Sequence, residues 1–279
     1  MNRMSIAAVV ALLLTALGLA GLYWMQTRSR HATERAPAPP VAEAPAEPAS
    51  VASVPAIRNP IDPALAGSAP APSGDTQALW KHGLVELLGQ SAVTRFVQSE
   101  DFSRRLVVTV DNLARAHAAP RLWPVNPTPG RFSVTGNGEL RTIAPENAGR
   151  YTPLVSLITQ VDARQAAALY ARMYPQLQKA YEEQGYPGRY FNDRVIEVID
   201  HLLETPEPPA AGPLMQLTEV KGSVPSTQPW LRYEFADPDL QSLSSGQRIL
   251  LRVGPTHRQA LKGKLAELRK LIARAPVSR

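Results

Sequence analysis

The stretch DARQAAALYARMYPQLQKAYEEQGYPGRYFNDRVIEVIDHLLETP, residues 162–206, predicts two helices joined by a short turn. Asp162 can cap the first helix, and Gly185 follows its last turn, where glycine often ends a helix. The second helix is expected to open at Asp193 and to stop before Pro206, because proline cannot continue a helix. Two long helices in succession indicate a mainly helical domain.

Further helices are expected on both sides of this pair. Apolar residues recur there at helical spacing, and Asp75 can cap the first of these helices. The predicted helices start at Asp75 and at about residues 100–117, 146–160, 239–253 and 255–273.

Two short antiparallel hairpins complete the predicted fold. Asn137-Gly138 stands between two alternating runs within residues 132–143, which is the strongest short signal for a hairpin. Strand-like runs at 215–220 and 231–235 predict the second hairpin. The fold class is therefore predicted to be mainly α with minor β (α+β).

An apolar segment near the amino terminus predicts one transmembrane helix. Residues 5–24 carry no charge, and about 20 such residues span the ~30 Å hydrocarbon layer of a bilayer. Tyr23 and Trp24 end the segment as interfacial aromatic anchors do. A cleaved signal peptide is the alternative, because small residues at 18–20 suit a peptidase. The apolar run continues past them, which favours an uncleaved anchor over residues 1–35, basic flank included.

A proline- and alanine-rich stretch separates this anchor from the domain. Residues 36–72 contain ten of the chain's 27 prolines and few large apolar side chains. Such a stretch cannot bury enough apolar surface to offset its ordering entropy, so residues 36–74 are predicted to be a disordered tether. One soluble helical domain then covers residues 75–273, and a tail covers 274–279.

The orientation of the anchor is left open by its charges. Arg3 and the amino group precede the span, and three arginines between residues 28 and 35 follow it, so the positive-inside rule favours a cytoplasmic domain by a single charge. The short amino-terminal tail and the long tether favour the opposite side. We expect a single-pass protein of the inner (cytoplasmic) membrane that contacts the lipid bilayer through residues 5–24, with its domain in the periplasm.

Several motifs of the domain resemble a known family. They are WPV at 123–125 with PGRF at 129–132, the run at 170–187, YFNDRVIEVIDHLLETP at 190–206, and LLRVG at 250–254. In these motifs the chain is similar to an uncharacterised family of proteobacterial proteins with a membrane anchor, a Pro-rich tether and one domain of unknown function. The resemblance covers most of residues 75–273. It implies this architecture and an envelope setting, and it implies no activity.

Polar residues share one face of the helix predicted from Asp193. Glu197, His201 and Glu204 are spaced i, i+4, i+7 and lie on the same side as Asp200. This spacing could present ligands to a metal or an acidic surface to a partner, but a solvated helix face has the same pattern. No second cluster of ligands accompanies it, so we predict no metal and no cofactor and retain these three residues as a candidate binding surface.

Tyrosines form the second candidate surface. Tyr174 and Tyr181 share a helical stripe, and Tyr186 and Tyr190 follow in the next turn. Rings with polar edges can stack on sugars or peptide backbone, as a cell-wall binding protein would require. A stripe at helical spacing is more often part of a core. Both interpretations are kept.

Basic charge is concentrated in the last predicted helix. Residues 248–279 contain nine Lys or Arg and one Glu, in a chain of net charge +6. Leu261, Leu265 and Leu268 give the helix an apolar face, and basic residues including Arg258 are expected to cover the rest. The helix could pair with the acidic helix or meet anionic lipid. No recognised motif predicts nucleic acid as a partner.

Sequence signatures of catalysis are missing. The absence of cysteine excludes disulfides, thiol catalysis and zinc–thiolate sites, and no nucleophile elbow, zinc-binding helix motif or phosphate-binding loop occurs. The leading hypothesis is a membrane-tethered binding or scaffold protein of the cell envelope, with envelope proteins or peptidoglycan as partners. The alternative is a cell-wall-directed hydrolase that uses carboxylates of residues 193–204 for acid–base chemistry.

Overall fold

A computed structural model describes residues 56–67, 74–209, 212–218 and 229–273. In this part of the chain no helix is long and apolar enough to cross a membrane. The predicted span at residues 5–24, the tail at 274–279 and most of the predicted tether lie outside the described residues.

The described residues form a mainly helical fold with a small sheet. The helices are α1 (Thr76–Leu88), α2 (Gln90–Phe96), α3 (Phe102–Leu113), α4 (Glu146–Gln160), α5 (Ala163–Glu183), α6 (Phe191–Leu203), α7 (Pro238–Ser242), α8 (Ser245–Arg252) and α9 (Pro255–Ile272). The strands are β1 (Val134–Thr135), β2 (Arg141–Ile143), β3 (Leu214–Leu217) and β4 (Tyr233–Phe235). Short 3-10 turns occur at Pro63–Ala66, Pro120–Leu122 and Pro229–Leu231.

The helices that the sequence predicted best are capped by the side chain of the residue just before them. The side chain of Asp75 accepts a hydrogen bond from the Gln77 amide at 3.0 Å, and Asp162 accepts one from the Gln165 amide at 2.9 Å. These bonds satisfy amides that a helix leaves without an internal partner. α4, α5 and α9 lie within two residues of their predicted ranges.

The start of α6 differs from the prediction. It begins at Phe191, and Asp193 is already inside its first turn. The first amides are capped by side chains of α5: the Phe191 amide donates to Gln178 Oε1 at 2.8 Å and the Asn192 amide donates to the Tyr174 hydroxyl at 3.0 Å. A cap supplied from another helix leaves no mark in the local sequence.

The predicted helix at 239–253 consists of two helices. The backbone leaves helical geometry at Leu243, and Ser244 starts α8 through reciprocal bonds with Gln247, a capping box. α8 then approaches α3 closely at Gly246, where a Cβ atom would lie 2.9 Å from the Leu113 carbonyl oxygen. Only glycine fits there without a shift of backbone.

The two predicted hairpins join into one antiparallel sheet of order β1-β2-β3-β4. The joining contact is between β2 and β3, where Arg141 pairs with Met215 and Thr142 with Leu214. Strands this short are marginal as isolated hairpins. Met215 and Phe235 are fully buried against Leu240 and Leu251 of the neighbouring helices, and this packing holds both hairpins on one apolar layer.

The main core lies between α1, α3, α5 and the start of α6. Its most deeply buried members include Trp80, Val107, Leu177, Tyr181 and Phe191. Burying large apolar side chains of this kind supplies most of the stability of a helical domain.

The predicted docking of the basic C-terminal helix is confirmed. Ile272 is buried with Ile196 and Ile199 of α6, and Leu265 packs on the same cluster. Arg269 forms a two-point ion pair with Asp200, whose second contact, from Nη2 to Oδ2, is 2.8 Å. The acidic helix is therefore a partner of the basic one.

Residues 56–67, which lie within the predicted tether, contact the domain. The Asn59 amide donates to Asp193 Oδ1 at 2.6 Å, and the Ile61 side chain packs against the main core. Their proline-rich surroundings predicted disorder, but these contacts, together with a hydrogen bond from Asn192, hold this stretch on the domain.

Asn192 fixes this stretch to the rest of the fold. Its side chain is fully buried, and its Nδ2 donates to the carbonyls of Asn59 and Ile272, both at 2.9 Å. Its Oδ1 accepts from the Tyr170 hydroxyl at 3.0 Å. One amide thus joins α5, α6, the end of α9 and the segment before α1.

We predict that Leu265→Asp lowers the free energy of unfolding of the full chain by roughly 2–4 kcal/mol, because it places a charge in an apolar contact. Lys270→Glu adds negative charge to an exposed position of the same helix and should cost under about 1 kcal/mol. Urea melts of both variants measure the contrast. Equal melts would mean that the apolar face of α9 does not contribute to the fold.

Candidate functional site

A cleft of about 510 Å³ lies over the first turn of α6, between the end of α3 and the turn that joins α5 to α6. We call it the Asp111 cleft. Its lining residues are Ala56, Arg58, Asp111, Arg115, Tyr181, Tyr186, Arg189, Tyr190, Asp193, Arg194 and Glu197.

A buried carboxylate lies in this cleft. The side chain of Asp111 is 3% exposed, and it accepts hydrogen bonds from Arg194 Nε at 2.9 Å, Arg115 Nη2 at 2.7 Å and the Tyr186 hydroxyl at 3.0 Å. The Asp111 carbonyl also accepts from Arg194 Nη2 at 3.0 Å. A buried charge with this many donors is held in one orientation, because each lost bond would leave it uncompensated.

Two guanidinium groups at the mouth of the cleft have no carboxylate partner within the described residues. They belong to Arg58 and Arg189, which are both exposed. Arg189 lies 6.0 Å from the centre of the Tyr186 ring. Arg115 is half exposed and contacts the Tyr186 hydroxyl as well as Asp111. The mouth therefore presents positive charge beside an aromatic ring.

The four predicted tyrosines have different positions. Tyr186 and Tyr190 are half-buried at the cleft, and Tyr181 stacks beneath Tyr186 with ring centres 4.5 Å apart. Burial raises the pKa of the Tyr181 hydroxyl, and the nearby Asp111 charge raises it further, with Arg194 opposing. Tyr174 is not part of an accessible surface: it is buried, and its hydroxyl donates to Gln178 and accepts from the Asn192 amide.

The predicted acidic residues line a second cleft of about 580 Å³ farther along α6. Glu197 is bound by Arg194 Nη1 at 2.7 Å, and Asp200 is bound by Arg269. His201 is half-buried, and its Nε2 has no hydrogen-bond partner within the described residues. Glu204 is exposed at the end of the helix.

Glu197, His201 and Glu204 do not come together as a set of metal ligands. No group of three or more His, Cys, Asp or Glu side chains in the described part of the chain is placed to hold one ion. Arg194 instead draws Glu197 toward the Asp111 cleft. These residues therefore belong to a charged surface.

Asp111, Arg115 and Arg194 were not found from the sequence. Asp111 follows Val107 by one turn and lies outside the apolar stripe of Phe102, Leu106 and Val110. Nothing in that pattern indicates burial at this position. Its burial arises because α6, about 80 residues later in the chain, brings Arg194 against it.

The fold and the Asp111 cleft together describe a mainly helical domain whose surface carries a fixed, charged cleft. The chain belongs to the family described as protein of unknown function (DUF3014), whose match covers residues 102–269. The match confirms the predicted resemblance to a family with a domain of unknown function. No curated protein and no solved structure matched the chain.

We predict that Asp111→Asn destabilises the full chain by about 3 kcal/mol, because it leaves the mostly buried Arg194 without its main counterion. Glu197→Gln removes an exposed carboxylate from the same arginine and should cost under about 1 kcal/mol. Chemical denaturation of both variants tests the difference. A small, equal loss in the two would show that Asp111 is not needed to hold the cleft together.

Proposed function

We propose that this chain is a membrane-tethered binding or scaffold protein of the cell envelope, and that the Asp111 cleft holds an acidic peptide segment of its partner. Such a segment could belong to an envelope protein or to the stem peptides of peptidoglycan. The observation that carries this proposal is that the exposed arginines Arg58 and Arg189 line one cleft with Tyr186, and that the Arg189 guanidinium lies 6.0 Å from the centre of the Tyr186 ring.

The chemistry of the cleft favours recognition of carboxylates. Guanidinium groups bind carboxylates through two parallel hydrogen bonds, and a neighbouring aromatic face adds apolar contact. Asp111 supports this arrangement because it fixes Arg115 and Tyr186 from behind. A site whose donors are held in place loses less entropy when a ligand binds.

The hydrolase alternative is less well supported. Acid–base hydrolysis needs two carboxylates free to exchange protons beside the scissile bond. On α6, Asp193 accepts from the amides of Arg58 and Asn59, Glu197 is paired with Arg194, and Asp200 is paired with Arg269. These bonds hold three of the carboxylates as structural acceptors. They leave Glu204, exposed at the end of the helix, without a second unpaired carboxylate on α6.

Membrane attachment is supported by the sequence of residues 5–24, which have the length and apolarity of a bilayer span. Residues 56–59 meet the domain at the Asp111 cleft. A partner bound in the cleft would therefore lie beside the segment that leads toward the anchor. In this proposal the protein is an inner-membrane protein, and its domain lies in the periplasm.

We predict that the full chain, purified in detergent, sediments with peptidoglycan sacculi. The double variant Arg58→Glu, Arg189→Glu should reduce the sedimented fraction several-fold, because it reverses both free charges at the cleft. The double variant Arg104→Glu, Arg164→Glu is the matched control, since it changes the net charge by the same amount at exposed residues that do not line the cleft.

Three outcomes of this assay would change the proposal. No sedimentation of the wild-type chain would exclude the wall as partner. Equal loss in the control variant would point to net charge and not to the cleft. Release of soluble muropeptides by the wild-type chain would support the hydrolase.

We further predict that alkaline phosphatase fused after residue 72 is active, because this enzyme folds only outside the cytoplasm. Fusion of a cytoplasmic reporter at the same position is the control. If only the cytoplasmic reporter is active, the domain lies on the other side of the membrane.

A further inference from the structure

A separate cavity, of about 610 Å³, lies on another part of the domain, between the sheet and the start of α9. Its walls are largely apolar and include Ile143, Pro145, Pro208, Pro213 and Leu251. Its volume lies within the range of ordinary small-molecule sites, roughly 300–1,000 Å³. None of the residues predicted from the sequence as site residues lines it.

Two arginines, one buried and one half-buried, bring positive charge to this cavity. The Arg258 side chain is 3% exposed, although the sequence placed it on the outer face of the helix. Its Nη2 and Nε contact Glu207, while its Nη1 is buried and has no hydrogen-bond partner within the described residues. A buried donor without an acceptor costs free energy, so this group favours an added anion.

Arg252 is the second cation. Its Nη2 donates to the Tyr233 carbonyl at 2.9 Å, and its Nε is buried without a partner among the described residues. Burial lowers the pKa of Arg252, and the neighbouring Arg248 charge lowers it further. The Arg252 guanidinium lies 5.2 Å from the centre of the Phe235 ring, and no carboxylate of the described residues forms an ion pair with it.

The amino-terminal end of α9 brings a further partial positive charge to the cavity. Gly254 and Pro255 line the cavity, and no side chain caps this helix of 18 residues. Pro255 has no amide hydrogen, so the free amides of this turn are those of Thr256 and His257. The amino-terminal end of a helix favours anions. The helix end and the buried guanidinium of Arg258 are independent features that meet at one cavity.

Glu207 is the carboxylate that now faces Arg258. Its side chain is 70% exposed, whereas Arg258 is buried. The Arg258 hydrogen bond lowers the pKa of Glu207, so the carboxylate is charged at neutral pH. An exposed glutamate on a proline-rich segment is a weakly held counterion, since its bond to arginine competes with water.

We propose that this cavity binds a small organic carboxylate with an apolar body, such as the carboxyl-terminal residue of a peptide, and that the ligand carboxylate replaces Glu207 on Arg258. The apolar walls take the body of the ligand, and Arg258, Arg252 and the start of α9 take its charge. The site lies apart from the Asp111 cleft and does not depend on the function proposed there.

The test is calorimetric titration of the full chain in detergent with N-acetyl-Ala-Leu, as the free acid and as the carboxyl-terminal amide. We expect the acid to bind at least about tenfold more tightly, which corresponds to about 1.4 kcal/mol. N-acetyl-leucine is titrated in the same way. Equally tight binding of it would mean that a single amino acid is sufficient, and weaker binding would mean that the site takes the end of a peptide. Equal binding of acid and amide, no binding of either, or equal binding of inorganic phosphate would overturn the proposal.

Glu207→Gln removes the competing carboxylate and is expected to tighten binding of the acid several-fold. Glu183→Gln changes an exposed glutamate that pairs with Lys179 at 3.8 Å, outside this cavity, and should leave binding unchanged. Unchanged or weaker binding by Glu207→Gln would contradict the displacement. If thermal melts show this variant unfolded, the comparison of acid with amide on the wild-type chain decides the proposal.

Discussion

The buried amide of Asn192 is the interaction on which the arrangement of the helices depends. It donates to carbonyls at both ends of the described chain, Asn59 and Ile272, and accepts from Tyr170 of α5. A primary amide buried without partners would cost several hydrogen bonds at once, so only a packing that supplies all of them is stable. Apolar contacts hold α5, α6 and α9 together, and the amide selects one register among the ways in which they could pack.

The Asp111 cleft follows from that register. Asn192 fixes the first turn of α6. The side chains of the next two residues, Asp193 and Arg194, then form hydrogen bonds with different parts of the chain. Asp193 holds the backbone of residues 58 and 59, while Arg194 reaches Asp111 on α3. The exposed arginines at the mouth of the cleft are therefore carried on parts of the chain that the same turn positions. The proposed recognition in the cleft and the stability of the domain share these bonds.

The sequence predicted the parts of this fold that depend on neighbouring residues. Asp75 and Asp162 cap the helices that they precede, and apolar spacing located α4, α5 and α9. It failed where the deciding partner lies far along the chain. Residues 56–67 have the composition of a disordered segment, and only α6 and the core give them a surface to bind. Joining of the hairpins depends on a pairing between residues 141 and 215.

For the candidate sites, Tyr186 and Glu197 were found because they are polar and aromatic at helical spacing. Asp111 and Arg258 were missed, because their burial is created by other elements.

The contacts of Asn192 also bear on where the smallest independently folding piece of this protein begins and ends. The family match covers residues 102–269, yet both carbonyls that Asn192 binds lie outside it, at positions 59 and 272. A fragment cut to the match would expose the apolar underside of α5 where α1 now packs, and would leave two buried hydrogens of one amide without acceptors. The boundaries of shared sequence and the boundaries of the cooperative unit are different in this chain. The outer segments complete a network whose centre lies inside the match.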